Sequence, residues 1–116
     1  MMTSPLPLQP LGPDLSVAPQ LAPEAMAAAA AQGFRSVINN RPDFEGGPDQ
    51  PTSAAMEAAA RAAGLEYAHL PVASGWQSPE EIARFRELLA TLPKPVLAFC
   101  RSGTRSGKLY RAATGT

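Results

Sequence analysis

Pro95-Val96-Leu97-Ala98-Phe99-Cys100-Arg101-Ser102-Gly103-Thr104-Arg105-Ser106 is the stretch whose reading decides the architecture. Its first half is short, apolar and entered through prolines, which predicts a buried strand. Its second half turns small, polar and basic, and the residues through Ala113 suit a short helix. A thiol at the end of a strand, then a glycine-bearing turn, then a helix start, describes an anion cradle with a nucleophile at its base. Cys100 is the only cysteine of the 116 residues. The thiolate is the reactive form, so the chemistry depends on what lowers the thiol pKa. Backbone N–H groups of residues 101–106 turned inward would do so, helped by the helix dipole and by Arg101 and Arg105. Gly103 permits the tight curvature, and Ser102, Thr104 and Ser106 bring hydroxyls. The competing reading is an inert cysteine closing a core strand. Two arginines and a glycine within the next five residues favour the cradle.

Upstream, one grammar occurs twice. Pro23 and Glu24 suit a helix start, and the alanine-rich run Ala25–Ala31 has the highest helix propensity available. Gly33 stops it before a strand over Phe34–Asn39. A second helix over Ser53–Ala63 ends at Gly64 before a strand over Leu65–Leu70. Successive helix-glycine-strand units are βαβ construction and predict parallel strands. Leu15-Ser16-Val17 fits a first strand, or else a continuation of the segment before it. Ser78-Pro79-Glu80-Glu81 is a capped helix start, and Ile82, Phe85, Leu89 and Leu92 give that helix one apolar face. The expected fold is α/β: three layers, a roughly four-stranded parallel sheet with helices on both faces. Residues 1–13, with four prolines, are expected as a flexible N-terminal arm, and residues 14–116 as a single domain.

Charge excludes some functions. Ten basic and ten acidic residues cancel, which argues against nucleic acid or an anionic membrane as the main partner. No apolar run reaches the roughly 20 residues of a membrane span. No basic residue precedes Arg35, so a secretory leader is not expected, and a lone cysteine suits the reducing cytoplasm. One histidine and one cysteine assemble no familiar metal cluster, and no cofactor is expected.

Ligands of open parallel sheets bind beyond the carboxyl ends of the strands. Three segments should therefore share a rim: Asn39–Asp43, Pro71–Gln77 and Cys100–Ser106. Arg41 would bind substrate or pin Asp43 there; the plain alternative is a turn with a surface ion pair. Asn39 and Asn40 suit loop capping. Trp76 would either wall the pocket or cover the core edge. His69, on a strand beside a core, reads more readily as structural than as a base.

Cys100-Arg101-Ser102-Gly103-Thr104-Arg105 resembles the active-site loop of rhodanese sulfurtransferases, a cysteine followed by R-x-G-x-R. In combination with Ser16–Leu21, Val37–Asp43 and Gly64–Val72, it resembles the bacterial beta-lactamase-hydrolase-like, phosphatase-like domain family. The resemblance implies the fold of cysteine-dependent phosphatases and association with a metallo-beta-lactamase-fold partner enzyme of sulfur metabolism. It departs from the phosphatase pattern H-C-x5-R: Phe99 replaces the histidine, Ser106 stands at the arginine position, and Arg105 comes one residue early. The loop after the third strand of that pattern, Pro71–Gln77, lacks the acid that phosphatases carry there. Asp43, Glu45, Glu80 and Glu81 are the substitutes within reach, the last two being better explained as helix-start charges.

These departures favour sulfur transfer. Cys100 would take the outer sulfur of thiosulfate or a small persulfide, with Arg101 and Arg105 binding the anionic donor. Catalysis is assigned to Cys100 and Arg105, and anion binding to Arg101, Ser102, Gly103, Thr104 and Ser106. Asn40, Arg41, Asp43 and Trp76 are the candidate rim. A phosphatase acting through phosphocysteine is the runner-up, and a non-catalytic anion-binding regulatory module is the third reading.

Overall fold

A computed structural model of the chain describes residues 6–115. In chain order the elements are β1 (Gln9–Gly12), β2 (Leu15–Ala18), α1 (Ala25–Ala31), β3 (Ser36–Asn39), α2 (Ser53–Ala62), β4 (Glu66–His69), α3 (Pro79–Thr91), β5 (Val96–Phe99) and α4 (Thr104–Thr114). The sheet order is β1-β2-β5-β3-β4. The strands β2, β5, β3 and β4 are parallel neighbours, as the repeated helix-glycine-strand grammar requires.

The sheet has a fifth member. Part of the proline-rich segment expected as an arm, Gln9–Gly12, pairs antiparallel with β2, which makes the sheet mixed. Pro10 stands opposite Ser16, and the register shifts between Pro10 and Gly12. Proline is tolerated there because β1 is an edge, where a missing donor leaves no inner partner unsatisfied. Residues 1–5 of the expected arm lie outside the described residues. On its inner side Gly12 faces α4 so closely that an added Cβ would stand 2.4 Å from the Tyr110 hydroxyl.

Alternation along the strands divides the core. Ala18, Val37, Tyr67, Leu97 and Phe99 turn to one face, where Met26 and Ala29 of α1 and Met56 and Ala60 of α2 cover them. Leu15, Val17, Ile38, Val96 and Ala98 turn to the other, against Phe85 and Leu88 of α3 and Leu109 of α4. Phe85 and Leu88 are the buried residues of α3, with Ile82, Leu89 and Leu92 partly buried beside them. The start of α3 carries a complete capping box between Ser78 and Glu81, with Pro79 at its first position.

The register fixes where a ligand would meet the sheet. Ala18, Phe99, Asn39 and His69 stand side by side as the last residues of their strands. The chain therefore leaves all four strands at one level, and the bonding continues one step beyond. Cys100 N–H donates to Ala18 O (3.3 Å), Asn40 N–H to Phe99 O (2.8 Å) and Leu70 N–H to Asn39 O (2.9 Å).

Candidate active site

Cys100 is the first residue past β5, and its side chain is buried at the floor of a loop that closes into α4. Gly103, the N-cap of α4, has φ +90°, which L side chains rarely adopt. That conformation turns its N–H back onto the sulfur, with N···Sγ 3.1 Å. Burial pushes the thiol pKa up. The backbone N–H groups of Ser106, Ser102 and Gly103, with the Ser106 hydroxyl, outweigh it and hold the thiol below its usual range. The expected ring of inward donors is thus the main stabiliser of a thiolate.

Arg105 behaves differently from a free anion ligand. It is buried, 7% exposed, and its guanidinium grips Glu45 through two nitrogens, Nη1 to Oε2 and Nη2 to Oε1, each at 2.9 Å. Nη1 also donates to the Val72 carbonyl at 2.9 Å. Arg41 donates from Nε to the same carboxylate (2.9 Å) and from Nη1 to Gln20 (3.2 Å). Glu45 therefore ties two arginines into one strut across the rim. Arg41 pins Glu45, whereas Asp43 accepts the Ser53 N–H at 2.7 Å near the start of α2.

This strut decides the proton chemistry. The Arg105 hydrogen bonds, reinforced by those of Arg41, overcome partial burial and hold the Glu45 carboxyl below its ordinary range. An ionised, doubly paired carboxylate has no proton to give at neutral pH, so Glu45 is not the general acid that its position suggested. Asp43 is engaged on α2, and Glu81 is spent in the capping box. Among the described residues Glu45 is the only acidic one lining the pocket, whose other walls are Ser74, Gly75, Gln77, Arg101, Ser102, Thr104, Arg105 and Lys108.

The remaining rim residues brace the cradle. Asn40 is wholly buried; its Nδ2 donates to Leu70 O (3.0 Å), and its Oδ1 accepts the Ser106 hydroxyl (2.8 Å). Asn39 donates to the Tyr67 hydroxyl (3.0 Å), which also meets Ser53 at 2.9 Å. His69 Nε2 lies 2.9 Å from the Arg41 carbonyl, an acceptor, so that nitrogen carries the proton and the ring is structural. Ser102 and Thr104 share a 3.1 Å hydroxyl contact at the mouth. Trp76 covers no core edge: it is 68% exposed, between the pocket residues Gly75 and Gln77. Lys108 and the Arg105–Glu45 pair escaped sequence reasoning. Lys108 had a readable signal, one helical turn beyond Thr104; the pair joins residues 60 apart and had none.

A family profile, "Beta-lactamase hydrolase-like protein, phosphatase-like domain", matches residues 7–115. The chain belongs to this family. A beta-lactamase hydrolase-like protein of Xylella fastidiosa is 46% identical over 81 residues, covering 70% of the chain and 19% of the relative. The matched part of the chain thus spans about a fifth of the length of this relative. A candidate phosphatase from Neisseria meningitidis is similar in structure, with TM-score 0.84, 34% identity, and coverage of 95% of this chain and 79% of that one. TpbA from P. aeruginosa, solved with phosphotyrosine, shares the fold at TM-score 0.69 and 17% identity, with 95% and 65% coverage. The architecture is that of cysteine-dependent phosphatases. No helix among the described residues is long and apolar enough to cross a membrane.

Proposed function

We propose that the domain is a cysteine-dependent hydrolase of small phosphate esters whose leaving group departs without being protonated. The observation that carries this is Cys100, whose thiol the loop donors shift toward the thiolate, at the floor of a cradle in a phosphatase-like fold. The thiolate attacks phosphorus, and the P–O ester bond breaks with its electron pair on the departing oxygen. Water then attacks the phosphocysteine, the P–S bond breaks, the thiolate returns, and inorganic phosphate leaves with the water proton shared into solvent. Arg105, kept in place by Glu45, and the loop N–H groups stabilise the extra charge. With no protonated carboxyl lining the pocket among the described residues, aryl and acyl phosphates suit this site and simple alkyl phosphates do not. The test is turnover of p-nitrophenyl phosphate, sensitive to vanadate. Release no faster than that of Cys100→Ser rejects the reading.

Sulfur transfer, the reading first favoured from the sequence, is the second. The names of the relatives support phosphatase chemistry; one observation favours sulfur. Arg105 follows Cys100 one residue sooner than in H-C-x5-R, narrowing the loop around the thiol. In that chemistry Cys100 attacks the outer sulfur of thiosulfate, the S–S bond breaks, and sulfite leaves with the electron pair without needing a proton. The Cys100 persulfide then passes its sulfur to an acceptor thiol. Mass spectrometry after thiosulfate treatment should then find a one-sulfur adduct on Cys100 that Cys100→Ala lacks. Slow alkylation of Cys100 at neutral pH would instead leave only an anion-docking module. A cytoplasmic setting and a metallo-beta-lactamase-fold partner belong to the proposal too, the former because a free thiolate needs a reducing compartment.

A further inference from the structure

We propose that the pocket holds a second anion subsite, made by Arg101, Lys108 and the Gln77 carboxamide, which binds a carboxylate carried by the substrate besides its reacting group. The inference rests on the reading that Cys100 attacks a tetrahedral anion, and extends it to what the rest of the substrate looks like.

Size is the first argument. The cavity measures about 600 Å³, whereas a tetrahedral anion displaces the room of three or four waters, roughly 100 Å³. Most of the pocket is therefore free for another part of the ligand.

Charge is the second. The lining carries three cations, Arg101, Arg105 and Lys108, against one carboxylate, Glu45. That carboxylate is fully engaged by Arg105 and Arg41. Arg61 and Arg84 elsewhere on the surface each meet a glutamate of their own helix. Arg35, Arg86, Lys94 and Arg111 form no ion pair among the described residues but do not line this pocket. Arg101 and Lys108 have no carboxylate within ion-pair distance among the described residues. Arg101 leaves the cradle at its start, and Lys108 lies one turn along α4 from Thr104, so both charges face the mouth beyond the sulfur.

Gln77 Nε2 is the one buried side-chain nitrogen or oxygen, among the described residues, without a hydrogen-bond partner. Buried donors are rarely left unmatched, because desolvation without a bond is costly. Gln77 lines this same pocket, on the loop where the phosphatase pattern carries an acid. A neutral amide there cannot deliver a proton, but it can donate to an anionic oxygen. Two unpaired cations on the cavity wall, with an unmatched amide nitrogen buried just behind it that a turn of the Gln77 side chain would present, match a carboxylate acceptor.

The test is calorimetric and needs no turnover. Ethylphosphonate and 2-carboxyethylphosphonate differ only in the second anionic group, as do ethanesulfonate and 3-sulfopropanoate. In the full chain, the carboxylated member of a pair should bind about ten-fold more tightly, the scale of charge-assisted hydrogen bonds. The combined variant Lys108→Ala, Gln77→Ala should lose that preference while keeping its affinity for the plain head group. A preference seen only in the sulfonate pair supports the subsite and counts against the phosphatase reading. Equal affinities within both pairs, failure of all four probes to bind, or equal loss of both members in the combined variant overturns the subsite.

Discussion

The Ser106 hydroxyl has one proton and two acceptors, Asn40 Oδ1 at 2.8 Å and the Cys100 sulfur. It therefore couples the buried brace of the cradle to the nucleophile. In Ser106→Ala the thiolate loses a donor, so the Cys100 pKa should rise and alkylation by iodoacetamide at neutral pH should slow. The same change strands Asn40 Oδ1 and should cost about 1–3 kcal/mol in urea unfolding. Gly103→Ala acts through the backbone. A side chain at φ +90° is strained by about 1–2 kcal/mol, and relaxation would swing the N–H off Sγ. Stability and thiol reactivity should fall together in that variant. Cys100, Gly103 and the hydroxyls around them were legible because the cradle is local, a run of neighbours whose residue types state their use. The role of Arg105 was not legible, because its partner sits on another loop. Glu45 is aimed at it by a backbone that places Phe44 at φ +63° and by Gln50, which accepts the Gly46 N–H at 2.7 Å and donates to Pro42 O at 2.8 Å.

At the scale of elements, strong local signals produced the expected structures. Gly33 and Gly64, at φ +98° and +85°, end α1 and α2 before their strands. The capping box of α3 formed as its residues demand. Ser78→Ala should cost about 1 kcal/mol, read as a fall in the urea midpoint with little change in the m-value. The edge strand β1 was hidden by its prolines, which deny a central strand but not an outer one. Its place is set by tertiary contacts: Leu11 approaches Gly107 of α4, 3.7 Å from where a Cβ would stand, and Tyr110 covers Gly12. Leu88 was left out of the expected apolar face of α3, yet it is buried against the sheet beside Phe85.

Across the whole molecule, the Glu45 strut links α4, the loop before α2 and the segment after β2. Its carboxyl titrates below its ordinary value of 4.5 in the folded chain and returns to that value on unfolding. The unfolded chain thus binds the proton first as pH falls. The stabilisation is complete above the ordinary value and is lost on descent through the lower, folded one. Glu45→Gln should be roughly 1–3 kcal/mol less stable at pH 7, since Arg105 and Arg41 keep only neutral acceptors there. Its stability should also fall less steeply than that of the parent in the acid limb, measured by urea unfolding across a pH series.

The 60-residue span between Glu45 and Arg105 also bears on how the chain acquires its reactivity. Contacts so distant in sequence carry a loop-closure cost and come late on most folding routes. The cradle donors can gather around Cys100 as soon as α4 starts, but the arginine beside them is locked only when the sheet is complete. In refolding from urea, alkylation of Cys100 should quicken as α4 forms, whereas turnover should appear only with native tertiary signal. The lone thiol would then serve as an internal clock of assembly, and a nascent, half-folded chain would be shielded from the chemistry it is later to perform.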